Sequence, residues 1–397
     1  MKTPGISFYT VLVLLLLGII SCKSKVDTEL TVEISKKEGL IYFADNPQDS
    51  MLISTLAIVD SITMSEKGDY FDVFVEVWHQ KFGDEKMYNH FKKAWLLEHE
   101  MNGYRSLEHS PEIQVLKGCF EVIQKEALDV ISKRLSEAGA KKVTVAKTEK
   151  NDVFVITMTN APAKEIIQKL ATTHGVFGIY ETYNLIDVFQ CFDAANKKLI
   201  ENLGQFNDSQ LIVGPVFELL APSVLEGSEQ SWKIAPGPVA GQCLNTDTAR
   251  LIGLLKDAET EFPKELLFMW SAGASNISNE MSDLFMIKTY RGNSSMDNSH
   301  ISYACVGSAL KNNSTELKLE MNEEGKSLLR KLTLENTGLF LAVVIDNKVY
   351  NASSVNERNE SGKFIFPVKL NSDQATELSY ILSAGPILPN VHVVSIK

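Results

Sequence analysis

The residues best able to do chemistry in the first third of the chain are four histidines, His79, His90, His99 and His109. A zinc pair on a helix needs two imidazoles four residues apart, because that spacing places both on one face within reach of one ion. The successive spacings here are 11, 9 and 10 residues. We therefore interpret these side chains as solvated helix histidines and expect no metal site.

Catalytic motifs are also absent from the sequence. There is no G-x-S-x-G nucleophile elbow, no P-loop and no Gly-x-Gly-x-x-Gly segment after a predicted strand. Serine, histidine and aspartate occur as scattered residues, as they do in any chain of this length. The sequence therefore predicts that the protein is not an enzyme and binds no cofactor.

Four cysteines in the body of the chain, Cys119, Cys191, Cys243 and Cys305, could in principle form disulfides or bind metal. None belongs to a C-x-x-C cluster, and apolar residues flank each of them. We interpret them as buried free thiols, although one disulfide of undetermined connectivity stays open because an exported protein would meet oxidising conditions.

The N-terminus has the form of a lipoprotein signal peptide. Lys2 provides a basic start, residues 11–20 are almost continuously apolar, and Ile19 to Cys22 form a lipobox. The alternative is a transmembrane anchor with an incidental cysteine. We favour cleavage before Cys22, whose acylation with chains such as palmitate would anchor the protein to a lipid bilayer. Lys23 and the lack of an acidic run after Cys22 favour the outer membrane, facing the periplasm.

Length, composition and charge limit the classes of protein to which this chain can belong. The remaining chain is long enough for two or three domains, and an apolar content of 44% is sufficient for a core. The formal net charge of -11 makes nucleic acid an improbable partner, so none is expected. After residue 22 there is no apolar run of about twenty residues, the length that a spanning helix requires.

The C-terminal third has the clearest element pattern. Apolar and polar residues alternate over 317–321, which predicts a strand, and residues 325–334 carry apolar side chains at helical spacing. Residues 339–345 follow as a buried strand. Asp346-Asn347-Lys348 then predicts a tight hairpin turn, because Asp and Asn tolerate the left-handed backbone that such loops need.

A second helix follows in this region. Asn371 or Ser372 is its candidate N-cap, and Ala375, Leu378 and Leu382 lie on one face. Gly385, followed by proline, ends it.

This order of elements resembles the head of the large periplasmic domain of SecD and SecDF, membrane subunits that assist the Sec translocon in protein export. The family pattern is EGxxxxxxxTxENxG, then xxAIVLDGxVxSAPxVN, and later LxSGxLPAP. The site positions that the resemblance implies are Gly325, Asn336, Gly338, Asp346, Val349, Tyr350, Asn356 and Gly385.

The chain departs from this pattern at three places. Asn347 replaces glycine in the turn, and the Ala-Pro of the Ser-Ala-Pro segment reads Ser353-Ser354. A glycine-rich hairpin tip is reduced to Ser361-Gly362. The fold is expected to survive these changes, whereas a surface made by that hairpin is not assured. The resembled proteins also continue into a transmembrane bundle that couples proton flow to movement, and this chain is not expected to be a proton-driven motor by itself.

A second block of the chain extends the resemblance to roughly residues 115–397. Periodicity predicts a helix over 126–138, strands over 142–146 and 153–158, a helix from Pro162 to Leu170, and a strand over 176–180. This α-β-β-α-β order is similar to the ferredoxin-like base of the same family. Segment 175–199 resembles the Bacteroidetes-type version of the base, and segment 247–272 resembles the linker and first strand of the head.

The predicted fold class is therefore α+β, with a ferredoxin-like base, an α+β head subdomain and extra N-terminal helices. The N-terminal region predicts a strand at Thr31–Ile34 and helices at Tyr70–Phe82 and Tyr88–Glu100. The expected domains are a signal peptide (1–21), an N-terminal strand and helical region (22–114), the base (115–203), a Pro/Gly-rich connection (204–241), the head (242–386) and a C-terminal strand returning to the base (387–397).

Segment 204–241 is predicted to connect base and head, because prolines recur in it. A hinge and an ordered surface loop are equally compatible with this composition. Its apolar residues would contact a client or fill the seam between lobes; they are Phe206, Val216, Phe217, Leu219 and Trp232.

Two functions of different class are consistent with these observations. The first is a lipid-anchored, non-catalytic envelope protein that binds translocon components or exported polypeptides. The second is a repurposed SecD-like module that binds an unrelated envelope partner or a glycan, as the changes at Asn351 to Ser354 suggest. Fold resemblance alone does not decide between them.

Overall fold

A computed structural model describes residues 27–65, 68–83, 85–102, 111–149, 152–202, 214–225, 233–273, 278–310 and 314–397. The predicted signal peptide, Cys22 and His109 lie outside these residues. The described chain forms two compact units, one containing residues up to Thr172 together with Pro389–Lys397, and the other Thr173–Leu388.

Both units combine helices with largely antiparallel sheets, so the predicted α+β class is confirmed. The described helices are α1 (Lys36–Phe43), α2 (Ser50–Ser65), α3 (Tyr70–Phe82), α4 (Lys92–Asn102), α5 (Glu112–Glu137), α6 (Lys164–Thr172), α7 (Leu185–Asn202), α8 (Thr248–Asp257), α9 (Glu323–Glu335) and α10 (Ser372–Ala384). The strands are β1 (Thr28–Glu33), β2 (Lys141–Lys147), β3 (Val153–Thr159), β4 (Phe177–Thr182), β5 (Ala221–Pro222), β6 (Val224–Leu225), β7 (Lys233–Ile234), β8 (Val239–Leu244), β9 (Leu266–Ser271), β10 (Met281–Lys288), β11 (Met296–Asp297), β12 (Ile301–Ala309), β13 (Thr315–Met321), β14 (Phe340–Ile345), β15 (Lys348–Ser354), β16 (Lys363–Val368) and β17 (His392–Ile396). None of the helices in this described part is both long and apolar enough to cross a bilayer.

The first unit contains a four-stranded sheet in the order β17-β1-β3-β2, antiparallel throughout. With α5 after β1 and α6 after β3, this is the β-α-β-β-α-β arrangement of a ferredoxin-like fold. Alternation places Leu30, Val32 and Ile156 in the core, because successive strand residues point to opposite faces. The last strand of this sheet comes from the end of the chain, so the second unit is an insertion between α6 and β17.

The base prediction therefore needs one correction. We expected the strand near residues 176–180 to complete the base, whereas β4 pairs with β10, β11 and β14 of the second unit. The expected base boundary at residue 203 is accordingly too late, since the division falls at Thr172. Periodicity identified the strand but carried no information about which sheet it joins.

Helix α5 begins earlier than the predicted helix over 126–138. Its first half buries Val115, Cys119 and Phe120 at helical spacing; helices α1, α3 and α4 pack against it, and α2 packs against α3. The ring of Phe71 on α3 meets that of Phe120 edge-on, with centroids 5.3 Å apart. Helix α3 has the predicted bounds. The predicted helix over 88–100 is divided into a 3-10 turn at Met87–Asn89 and α4.

Asp69 joins three of these helices. Its carboxylate caps α3 by accepting from Phe71 N at 3.1 Å. It also forms ion pairs with Lys36 at 2.7 Å and with Lys117 at 3.3 Å. Burial opposes ionisation of Asp69, but hydrogen bonds and charge from Lys36 and Lys117 outweigh it and lower the pKa of this carboxyl. The ionised form therefore stabilises the helical layer.

We expect Asp69→Ala to destabilise the first unit by about 1 to 2 kcal/mol, since it removes a helix cap. Asp69→Asn keeps a capping oxygen and loses only the charge. Because the pKa of Asp69 is lowered in the folded protein, the charge contributes stability at neutral pH. This contribution is lost as the pH falls through the folded pKa. The difference between wild type and Asp69→Asn in α3 amide exchange should therefore vanish in acid. A difference that persists at low pH would contradict the proposed role of the charge.

The second unit is organised around strands that close into a ring. Within its eight-stranded sheet, β4, β14, β15, β9 and β10 pair in succession, and β10 pairs back to β4. The interior contains Met269, Phe285, Ile287, Val344 and Val349. Helices α7 and α8 cover the outer face of β9 and β10, where a second cluster forms around Phe192.

A three-stranded sheet, β12-β13-β16, completes this unit and packs with α9 and α10 on a third cluster. Burial alternates along β13 as its sequence predicted, with Leu317, Leu319 and Met321 inward. Asn371, not Ser372, is the N-cap of α10, where it forms a capping box with Gln374.

Segment 204–241 does not connect the two units. Residues 214–225 and 233–241 are part of the second unit, where Val216 and Leu220 are buried and Phe217 and Leu219 pack on the same core. Phe206 and Trp232 lie outside the described residues. Proline content thus indicated an irregular chain path but not a domain boundary.

Candidate functional site

Asp346 and Asn347 form the predicted hairpin turn between β14 and β15. Both have left-handed backbones, with φ of 49° and 60°. The Asp346 carboxylate accepts from Gly175 N at 3.0 Å and from Val176 N at 2.8 Å, and its own N–H donates to Val176 O at 2.9 Å. Asp346 therefore fixes the start of β4 beside the end of β14.

Gly325, Asn336 and Gly338 shape the two ends of α9. Gly325 N donates to the N-cap Asn322 at 2.8 Å, and a Cβ at Gly325 would lie 2.6 Å from His300 O. Asn336 is the C-cap and donates to Leu332 O, while Gly338 has a φ of 83°. These three positions allow close packing and helix termination.

The remaining motif positions are also mainly structural. Val349 is inside the strand ring, and Gly385, with φ of 101°, ends α10. Burial, together with the charge of Asp346, raises the pKa of the Tyr350 hydroxyl. Asn356 is exposed and accepts from Ser354 Oγ at 3.4 Å. Of the eight positions, Val349 and Tyr350 line a cleft, and the eight do not form one site.

That cleft has a volume of about 580 Å³ and lies where the strand ring opens. One wall is β15 with the end of β16, and the other is formed by the chain before β8 and by parts of β9 and β10. Phe285, Val349 and Ala352 give it an apolar lining. Ligand sites often occur at such barrel mouths.

The cleft exists because β15 and β9 diverge. They pair in parallel at two positions, Lys348 with Trp270 and Val349 with Ser271, and Ala272 N then donates to Val349 O. Beyond this point Asn351–Ser354 pair with β14 on one side, and Tyr350 lies at an irregularity in that pairing. Among the described strands none pairs with the other side of that segment, so β15 presents a free edge.

The polar side chains of Asn351 and Ser353 on this segment are already hydrogen-bonded, one of them to β16. Asn351 Nδ2 donates to Pro367 O at 3.2 Å, and Ser353 Oγ donates to Asn351 Oδ1 at 2.6 Å. No His or Cys is among the residues that line the cleft. The arrangement suits binding through backbone hydrogen bonds and apolar contact.

A larger apolar cavity of about 720 Å³ lies between α8 and β9 in the same unit. Leu255, Phe262 and Phe268 dominate its wall. Residues 266–268 of β9 line it, and β15 pairs with β9 only at Trp270 and Ser271, so this cavity also adjoins an unpaired strand edge. We choose the cleft at β15 because two of the motif positions, Val349 and Tyr350, line it.

One Ser, His, Asp group does come together, although the sequence showed these residues as scattered. Asp297 caps a 3-10 turn and accepts from Ser299 N at 2.9 Å and from Ser299 Oγ at 2.5 Å. His300 Nδ1 lies 3.0 Å from the same Asp297 oxygen. Ser299 Oγ lies much closer to the carboxylate than to His300 Nδ1, which is 3.4 Å away, and His300 Nδ1 accepts from Asp297 N at 3.2 Å as part of a capping box. The group is therefore a turn cap and not a catalytic triad.

Two histidines of the first unit, His79 and His90, lie beside carboxylates. His79 Nε2 lies 2.6 Å from Glu112. His90 lies outside the helices, between Asp49 at 3.0 Å and Glu85 at 3.3 Å, and its side chain is 21% exposed, so the solvated helical interpretation is wrong for it. Across the described ranges no three His, Cys, Asp or Glu side chains gather as a metal would require.

The four cysteines of the body are free thiols. Cys119 and Cys243 are buried, whereas Cys191 and Cys305 are partly accessible. Burial raises the pKa of the Cys119 thiol to about 12, which makes it unreactive at neutral pH.

Comparison with known proteins identifies the class of this second unit. Residues 282–389 match the family model described as SecDF, P1 head subdomain. They run from β10 through α10 and include all eight predicted motif positions. The resemblance to the periplasmic domain of SecD and SecDF is therefore confirmed, and the chain contains a SecD-like domain.

The similar curated proteins are protein translocase subunits SecD. That of Rhodothermus marinus is 25% identical over 163 residues, which cover 41% of this chain and 26% of that protein. That of Desulfurispirillum indicum is 33% identical over 82 residues, covering 21% of this chain and 16% of that protein. The chain thus aligns with about a quarter or less of the length of these two relatives.

Two solved SecDF structures are also similar. A chain described as a membrane component that enhances protein export matches with a TM-score of 0.37 and 14% identity, covering 70% of this chain and 93% of that one. SecDF in a super-membrane-facing form matches with a TM-score of 0.38 and 13% identity, covering 70% of this chain and 28% of that one.

Proposed function

We propose that this protein is a lipid-anchored, non-catalytic envelope protein whose SecD-like domain binds extended polypeptide, or translocon components, during protein export. The anchor is acylated Cys22, and the protein faces the periplasm from the outer membrane. The lipobox and signal-peptide pattern support the anchor, and the head-subdomain match supports the link to export.

The free edge of β15 above an apolar cleft is the observation that carries the proposal. An extended chain can add to an exposed strand edge through backbone hydrogen bonds, which every sequence offers. Apolar groups such as Phe285 and Ala352 then receive side chains without demanding a particular one. This combination gives sequence-tolerant binding, as an export accessory requires.

Photo-crosslinking in cells tests the proposal. A photoreactive residue replaces Ala352 in the cleft, and a matched one replaces Ile365, which is exposed on β16 of the same unit. We expect adducts with many exported polypeptides from position 352 and few from position 365. Adducts should decline in a Cys22→Ala background, in which the protein should leave the membrane fraction.

Other outcomes of this experiment are equally informative. Adducts with one envelope partner from position 352 would favour the repurposed module over the export accessory. Equal crosslinking from both positions, or none, would refute binding at the cleft. If Cys22→Ala stays in the membrane fraction, the lipid anchor is wrong.

A further inference from the structure

Asp283 lies on the wall of the cleft and is 8% exposed. It belongs to β10, where it shares a face with Phe285 and Ile287 of the ring interior. A carboxylate at such a position is costly to bury unless its oxygens are paired. Its hydrogen bonds therefore decide what the cleft can accept.

The carboxylate of Asp283 is only partly satisfied. Oδ1 accepts from Gln242 Nε2 at 2.9 Å, and the backbone N–H donates to Ser271 Oγ at 3.2 Å. An ionised carboxylate can accept about four hydrogen bonds. Within the described chain no donor reaches Oδ2 and no Lys or Arg forms an ion pair with Asp283, although Lys369 also lines the cleft.

We propose that the cleft prefers polypeptide segments carrying a lysine or arginine two residues from an apolar side chain. The cation would donate to the free oxygen of Asp283, and the apolar group would contact Phe285. Asp283 and Phe285 are two residues apart on β10, a separation of about 7 Å that an extended peptide reproduces with the same spacing. This inference rests on the proposed polypeptide binding and adds the chemistry that the site selects.

Geometry supports a cation more than an anion or a neutral group. An anion would be repelled by Asp283, and a neutral apolar side chain would leave the carboxylate oxygen without a donor. A charge-assisted hydrogen bond in a partly buried site is stronger than a neutral one. The protein surface as a whole is acidic, with a net charge of -11, so a control for general attraction is essential.

The test measures fluorescence polarisation of short labelled peptides with the acylation-free protein lacking residues 1–22. The first peptide has Gly and Ser around a lysine and a leucine two residues apart. Three others replace the lysine by acetyl-lysine, norleucine or glutamate. We expect the lysine peptide to bind about tenfold more tightly than the acetyl-lysine peptide.

Two protein variants separate a local effect from a general one. Asp283→Asn should reduce binding of the lysine peptide to the level of the acetyl-lysine peptide and leave the latter unchanged. Glu280→Gln, at an exposed position just before β10, removes one charge outside the cleft and should retain the preference. If Asp283→Asn does not fold, Asp283→Ser serves as the neutral variant, and equal affinity of the wild type for the lysine and acetyl-lysine peptides would still overturn the preference.

The outcomes distinguish this inference from the function on which it rests. Equal affinity for lysine, acetyl-lysine and norleucine peptides would overturn the cation preference and retain polypeptide binding. Preference that survives in Asp283→Asn would also overturn it. Absence of binding by all four peptides would overturn both.

Discussion

Replacing Arg134 by Ala is expected to lower the free energy of unfolding of the first unit by about 3 to 4 kcal/mol. Arg134 lies on α5, is fully buried, and donates from Nη1 to Leu170 O at 2.9 Å in the last turn of α6. A cation at the end of a helix is favourable because the carbonyls there carry partial negative charge. Alanine would remove this donor and leave a cavity in the core.

A second variant separates the two costs. Arg134→Met keeps most of the volume and loses the donor, so we expect it to retain roughly half of the lost stability. Hydrogen exchange of α5 and α6 amides, followed in the whole chain, reports the first unit independently of the second. Unchanged exchange in Arg134→Ala would show that the guanidinium does not support α6.

Many elements of this fold could be predicted because the residues that determine them are neighbours in the sequence. The alternation of β13, the bounds of α3 and the turn at Asp346 follow from side-chain period and backbone preference within a few residues. Pairing of β4 with β14 instead of β3 depends on contacts more than 150 residues apart in sequence, such as Gly175 with Asp346. Periodicity contains no such information.

The candidate site was harder to predict for a related reason. The family pattern marked Gly325, Gly338 and Gly385, which terminate helices or permit close packing. The cleft instead brings together separate segments around β8, β10, β15 and β16, and of these only β15 carries quoted motif positions that line it, Val349 and Tyr350. Asp283 belongs to none of the quoted motifs, and its burial depends on the pairing of β10 with β8 and β9. The sequence resemblance thus identified the fold that supports the site, but it did not identify the cleft that could bind polypeptide.

Asp346→Ala is expected to destabilise the second unit by about 2 to 3 kcal/mol. The carboxylate accepts two backbone N–H groups, from Gly175 and Val176, and no other side chain accepts from these two groups among the described residues. Alanine also tolerates the positive φ of 49° poorly, whereas asparagine adopts it readily. The loss should appear as faster hydrogen exchange at the start of β4 and along β14.

Asp346→Asn is the matched control, because it preserves the backbone preference and one acceptor oxygen while it removes the charge. We expect it to lose less than half as much stability as Asp346→Ala. Since β4 and β14 both belong to the strand ring whose opening forms the cleft, the alanine variant should also weaken polypeptide binding. Normal exchange in β4 of Asp346→Ala would mean that Asn298, which accepts from Phe177 N at 2.8 Å, holds this strand without the carboxylate.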